Sequence, residues 1–148
     1  MGKLRFPACT LAIIIVLGGL LSGCAAAREA TPVALAMAPL HAMHADVQAA
    51  PEVVQTAYQF AVANPAVLSK IPCHCGCGPL GHKSNYDCYV VGTDASGAVL
   101  FDPHALNCQV CVDITQDTMR LLREGRSLAD VNRHVNITYS RFGPSNLP

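Results

Sequence analysis

Six cysteines and three histidines fall within the 39 residues from Cys73 to Cys111. The run opens with Pro72-Cys73-His74-Cys75-Gly76-Cys77 and continues through His82, Cys88, His104, Cys108 and Cys111. Few structural needs call for three cysteines at alternate positions on a glycine-broken loop. A soft metal ion does, because thiolates converging from a short flexible segment satisfy a thiophilic cation. The expectation is a small domain built around a sulfur-rich site.

The start of the chain points to a location. Lys3 and Arg5 precede an apolar run from Ala8 to Leu21, which has signal-peptide length and falls short of a membrane span. It ends in Leu21-Ser22-Gly23-Cys24, which resembles the bacterial lipobox. That resemblance implies cleavage before Cys24, a diacylglycerol on its thiol and acylation of its amine. Such acyl chains anchor stably, each buried methylene contributing roughly 0.8 kcal/mol. The competing reading is an uncleaved membrane helix with an incidental cysteine. The expected organisation is a lipoprotein signal peptide over residues 1–23, lipidated Cys24 with a flexible tether over 24–50, and a Cys/His-rich domain over 51–148. The expected address is the bacterial cell membrane, facing outside the cytoplasm.

Removing Lys3 and Arg5 from the ten basic residues leaves eight against ten acidic ones, a net charge of about −2 with histidines neutral. The chain has no basic patch, which argues against nucleic acid as a partner. With no tryptophan, the core is modest, and small domains of this kind lean on a metal or disulfides. Residues 25–50 are alanine-rich with Pro32 and Pro39, as a tether would be. Met37, His41, Met43 and His44 lie within it as copper-tolerant ligand types, but an alanine-biased linker with chance methionines is the preferred reading.

Apolar periodicity predicts a mainly α fold of three or four helices with a short irregular or β-hairpin insertion. Val54, Ala57, Tyr58, Ala61 and Val62 mark a helix opened by Pro51, and Asn64-Pro65 starts a short second one through Leu68. Tyr89-Val90-Val91 and Ala98-Val99-Leu100-Phe101 flank a turn-like segment as a hairpin would. Asp102-Pro103 predicts the cap and first residue of a helix running to Gly125, with His104, Cys108 and Cys111 on one face. Ser127 and Asp130 form a capping-box variant for a last helix that carries Val131, Val135 and Tyr139.

Pro72-Cys73-His74-Cys75-Gly76-Cys77, followed by Gly81-His82-Lys83, Cys88, His104, Cys108 and Cys111, resembles the family of bacterial lipoproteins named for its PCYCGC motif. The resemblance spans roughly Pro51 to Tyr139, with His74 standing where the family name has tyrosine. It implies an extracytoplasmic lipoprotein and supplies no established activity.

The chemistry rests on the residues. Cys73, Cys75, Cys77, Cys88, Cys108 and Cys111 with His82 and His104 are the candidate ligands, and His74 is a further one. Six thiols exceed the four ligands of one tetrahedral zinc, and excess thiolate beside imidazole suits Cu(I), with more than one ion sharing sulfurs. Copper is favoured and zinc is the alternative. The membrane and a metal donor or acceptor protein are the expected partners. A competing reading is a disulfide- or zinc-stabilised interaction domain, since six cysteines can pair completely outside the cytoplasm. A third is thiol–disulfide exchange at Cys108-Gln109-Val110-Cys111, set aside because Cys108 is expected several residues into a helix, where the dipole effect has faded. No H-E-x-x-H pairing supports metal-assisted hydrolysis. His134 is expected to be solvated, and Asp117, Arg120, Arg123 and Glu124 to be an ordinary charged face. Asp102 is read as a cap, with Asp87 and Asp113 proposed to hold ligand histidines.

Overall fold

Apolar side chains three and four apart build the frame. A computed structural model describes residues 34–147. The signal peptide expected over residues 1–23 and the lipidated Cys24 lie outside the described residues. In chain order the helices are α1 (Ala45–Gln48), α2 (Glu52–Ala63), α3 (Pro65–Leu68), α4 (Gln109–Arg123) and α5 (Leu128–Tyr139). The antiparallel hairpin of β1 (Val90–Thr93) and β2 (Val99–Phe101) sits between α3 and α4 in sequence. The mainly helical expectation holds, and so does the hairpin. Among the described residues, no helix is long and apolar enough to cross a membrane.

The central element is α4, which packs on α2 along one side and on α5 along another. From α2 come Ala57, Tyr58, Phe60 and Ala61, and from α4 Val112, Ile114 and Met119; Val131 and Val135 of α5 complete the buried layer. Ser127 caps α5 as its sequence predicts: its Oγ accepts from Asp130 N and donates to Asp130 Oδ2. The hairpin register pairs Val90 with Phe101 and Thr93 with Val99, with an irregularity between Val90 and Gly92.

Three expectations need correction. The packed part of the chain begins before Pro51. Ala38 N donates to Gln59 O and Gln59 Nε2 donates back to Ala38 O, at 3.0 and 2.8 Å. Met43 and Val47, four residues apart, are buried at 4% and 1% exposure. Alanine bias hides these two apolar anchors, which suffice to seat α1 on α2. Met43 lies in the core, and His44 Nδ1 accepts from Asp46 N as the cap of α1.

The second correction concerns residues 102–108. Asp102-Pro103 does cap a helical turn, but a 3-10 one over His104–Leu106, with Asp102 Oδ1 accepting from His104 N at 2.8 Å. The chain then extends at Cys108 (φ −117°, ψ 95°), which becomes the N-cap of α4. His104, Cys108 and Cys111 therefore do not share a helix face.

The third concerns the charged face of α4. Asp117 Oδ2 stands 2.7 Å from His134 Nε2 and accepts from Tyr139 Oη at 2.9 Å, while Oδ1 accepts from Arg120 at 2.8 Å. Burial opposes ionisation of Asp117, but these partners outweigh it and hold the carboxyl below the usual carboxylate range. His134 thus belongs to the stitching between α4 and α5, not to open solvent.

Candidate metal centre

The Cys-rich loop follows Ile71, three residues past the end of α3, and the Ile71 carbonyl accepts from Asn85 N at 2.8 Å. Gly76 has φ 81°, a left-handed conformation that glycine adopts without a Cβ clash, and this reverses the loop between Cys75 and Cys77. The Sγ atoms of Cys73, Cys75, Cys77 and Cys88 all lie within 4.8 Å of one another. A second four-ligand group of the same tightness holds Cys75, His104, Cys108 and Cys111, and a third holds Cys77, His82, Cys88 and His104. The structure therefore gathers all six cysteines with His82 and His104, the groups meeting at Cys75, Cys77, Cys88 and His104.

Within the cluster, Cys73, Cys75 and Cys111 form a sulfur triangle with sides of 3.3, 3.5 and 3.5 Å. Cys77 and Cys88 stand 3.7 Å apart, and His104 Nε2 is 3.4 Å from Cys75 Sγ. Thiolates at ~2.3 Å from a tetrahedral ion stand ~3.8 Å apart, so only a few tenths of an ångström of spreading is needed. These separations far exceed a disulfide bond of about 2.05 Å, and all six cysteines are free thiols. The S–H groups of Cys73 and Cys111 donate to Cys75. Hydrogen bonds from Cys111 and then Cys73 accordingly hold Cys75 far below the usual thiol range. Hydrogen bonding with the same sulfurs, led by Cys111, pushes Cys88 up.

The histidines divide. His82 is buried, its Nε2 faces Asp102 Oδ2 at 3.3 Å, and its Nδ1 is buried without a hydrogen-bond partner. A carboxylate behind one ring nitrogen and a lone pair left free on the other is how proteins orient a metal-ligating imidazole. The rings of His82 and His104 meet edge to face at 5.2 Å. His74 is different: its Nδ1 lies 2.9 Å from Gly143 O and its Nε2 3.0 Å from Asn136 Oδ1. Both nitrogens of this further candidate are hydrogen-bonded to α5 and the tail beyond it, and His74 joins none of the three ligand groups. The assignment of supporting carboxylates also changes. Asp87 Oδ2 accepts from Lys83 N and Asp113 Oδ1 from Gln109 Nε2, so neither holds a histidine; Asp102 does.

Two supports escaped the sequence reading. Asn146 Oδ1 accepts from Cys73 N at 2.7 Å, Asn146 N donates to Cys73 O at 3.1 Å, and its Nδ2 reaches Ser84 O and Cys77 Sγ. The chain's C-terminal residues thus strap the loop. Behind α4, fully buried Asn85 donates from Nδ2 to Cys111 O, Thr115 Oγ1 donates to Asn85 Oδ1 at 2.6 Å, and Tyr89 Oη donates to Cys111 O at 2.8 Å. Asn146 is distant in sequence from Cys73, and Asn85 and Tyr89 from Cys111, and none of them falls on a periodic pattern.

The strap needs a glycine. A Cβ on Gly143 would stand 2.9 Å from His74 O, a backbone atom that cannot swing aside. Gly143→Ala is expected to cost about 1–3 kcal/mol, as overpacking does, and urea unfolding measures it. An unchanged midpoint would show that the tail is free to move off the loop.

The position of Cys108 also changes the case on redox chemistry. It caps α4 and does not lie turns inside a helix, so distance from the helix end no longer argues against it. Burial pushes its thiol up, however, away from the thiolate that exchange chemistry requires.

A small helical frame that converges six thiols and two imidazoles defines a cysteine-rich protein with a site able to hold a soft metal ion. The particular family follows from comparison: the chain belongs to the family described as "Protein of unknown function with PCYCGC motif", whose model matches residues 13–145. Neither a search of curated proteins nor one of solved structures returned a match.

Proposed function

We propose that the protein binds a soft transition metal, Cu(I) first, as a lipoprotein anchored through Cys24 on the outer side of the cell membrane. Its work there is acquisition, buffering or delivery of the metal to a protein partner. The observation that carries the metal reading is His82: a buried ring nitrogen without a partner, beside Cys77 and Cys88, with Asp102 behind the ring. An apolar or purely disulfide core has no reason to leave that nitrogen unpaired. Copper is preferred over zinc because thiolates outnumber the needs of one tetrahedral ion, and low-coordinate Cu(I) uses sulfur-rich sets.

Zinc stays as the second reading on one specific ground. One group offers four thiols, another three thiols with an imidazole, and the last two thiols with two imidazoles. Each of these combinations is a known structural zinc set.

The test is anaerobic purification of the full chain from membranes, with metal content and free thiols measured on the same sample. Stoichiometric copper with reduced thiols is the expected outcome. One equivalent of zinc selects the second reading. Six oxidised cysteines, with no metal taken up after reduction and copper loading, end the metal reading. The intact mass of the same preparation reads the acylation of Cys24 directly.

A further inference from the structure

Resting on that reading, we propose that the eight ligands hold one bridged Cu(I)–thiolate cluster of several ions, exchanged through the corner formed by Cys75, His104, Cys108 and Cys111.

The bridging follows from ligand sharing. Three four-ligand groups are drawn from only eight residues, and Cys75, Cys77 and Cys88 each belong to two of them. An imidazole nitrogen has one lone pair and serves one ion, whereas a thiolate sulfur has spare pairs and joins two. The residues common to two groups are three cysteines and His104, so most of the shared positions are occupied by the ligand type able to bridge. Cys75 is the hinge of the arrangement. It stands 3.3 Å from Cys73 of the loop, 3.5 Å from Cys111 of α4 and 3.4 Å from His104 Nε2. An ion bound to the loop sulfurs and an ion bound to the helix sulfurs would both use it.

The exchange corner follows from burial. Cys73, Cys77, Cys88 and Cys111 are exposed by 2% or less, and His82 by 8%. Cys75, His104 and Cys108 are only partly buried. Three of the four ligands of that one corner meet solvent, against one of four in each of the other groups. An incoming thiol or imidazole can therefore attack a metal there without opening the core. Loading involves no electron transfer, since copper enters already as Cu(I). Each S–H that becomes a Cu–S bond releases its proton to solvent.

The test uses the full chain carrying Cys9→Ser and Cys24→Ser, so that only the six clustered cysteines remain. The chain is titrated anaerobically with Cu(I) buffered by bicinchoninate, then challenged with excess chelator. The expected result is saturation near one ion per group, three in all, with a copper–copper vector in X-ray absorption. Chelator should remove about one equivalent rapidly and the rest slowly. Cys108→Ser should lose the rapid equivalent and keep the slow ones. Serine is a favoured N-cap, so this change keeps the start of α4 intact. His104→Ala, which takes a ligand from two groups, should lose the rapid equivalent and one slow one.

Saturation at a single ion, or several ions with no copper–copper vector, overturns the cluster while leaving metal binding intact. A rapid fraction that survives Cys108→Ser and vanishes with His82→Ala would move exchange to the cleft lined by Leu80, His82, Lys83 and Asp102, and overturn the corner. No uptake at all would fail the proposed function itself, a result distinct from either.

Discussion

Cys75→Ser is expected to leave the chain with about a third of its copper, because this one residue belongs to two of the three ligand groups. Only the group of Cys77, His82, Cys88 and His104 keeps its full set. Cys75 is partly exposed, and serine is smaller and keeps a hydrogen-bonding atom, so the fold should survive and the loss should read as loss of ligand. His41→Ala, an exposed change outside the cluster, is the control expected to retain all the metal. Measured together by anaerobic titration, equal copper in the two variants would show that the loop and the helix do not share a site.

The second large effect concerns the scaffold behind the site. Asn85→Ala removes a fully buried amide that pairs with Thr115 and with the carbonyl of Cys111. Leaving buried groups unpaired costs about 1–3 kcal/mol, a large fraction of the roughly 5–15 kcal/mol that stabilises a domain. Copper should restore much of it. A ligand that binds only the folded state adds about 2.7 kcal/mol at about 100 times its Kd. Urea unfolding of metal-free and loaded protein should therefore show a large gap between wild type and variant without metal, and both forms shifted up with it. A variant as stable as wild type without metal would mean that Asn85 is dispensable to the scaffold. An absence of stabilisation on loading would mean that copper binds the unfolded thiols as well as the folded cluster.

Local signals carried much of the frame. The Ser127 cap, the Val54–Ala61 stripe and the apolar runs around Gly92–Gly97 each correspond to an element, because short-range hydrogen bonding and one-sided burial decide them. The ligand residues were legible as a set because cysteine and histidine are chemically conspicuous, but their geometry was not. His104, Cys108 and Cys111 were expected on one helix face; they come together through a 3-10 turn and an extended cap instead. An Asp-Pro pair caps either kind of turn; here the chain leaves the turn after Leu106 and extends at Cys108, whose sulfur joins the group of Cys75. The supports were harder still. Asn146 with Cys73, Asn85 with Cys111 and Asp117 with His134 are long-range pairs of ordinary polar residues, and single-residue propensity holds no record of them. Met43 and Val47 failed for the opposite reason: two anchors among alanines are too few to set a period.

The Asn146 strap also sets a timetable. Cys73 and Asn146 are 73 residues apart, and their contact closes over more than half of the described chain. Such non-local contacts form late, after the chain between them is ordered. A chain made N-terminus first has all six clustered thiols out of the ribosome before the residue that secures the loop. Until then the cysteines are reachable by any oxidant or stray ion in the compartment. Pairing of Asn146 with Cys73 is therefore the moment of commitment, after which the loop sulfurs are sheltered.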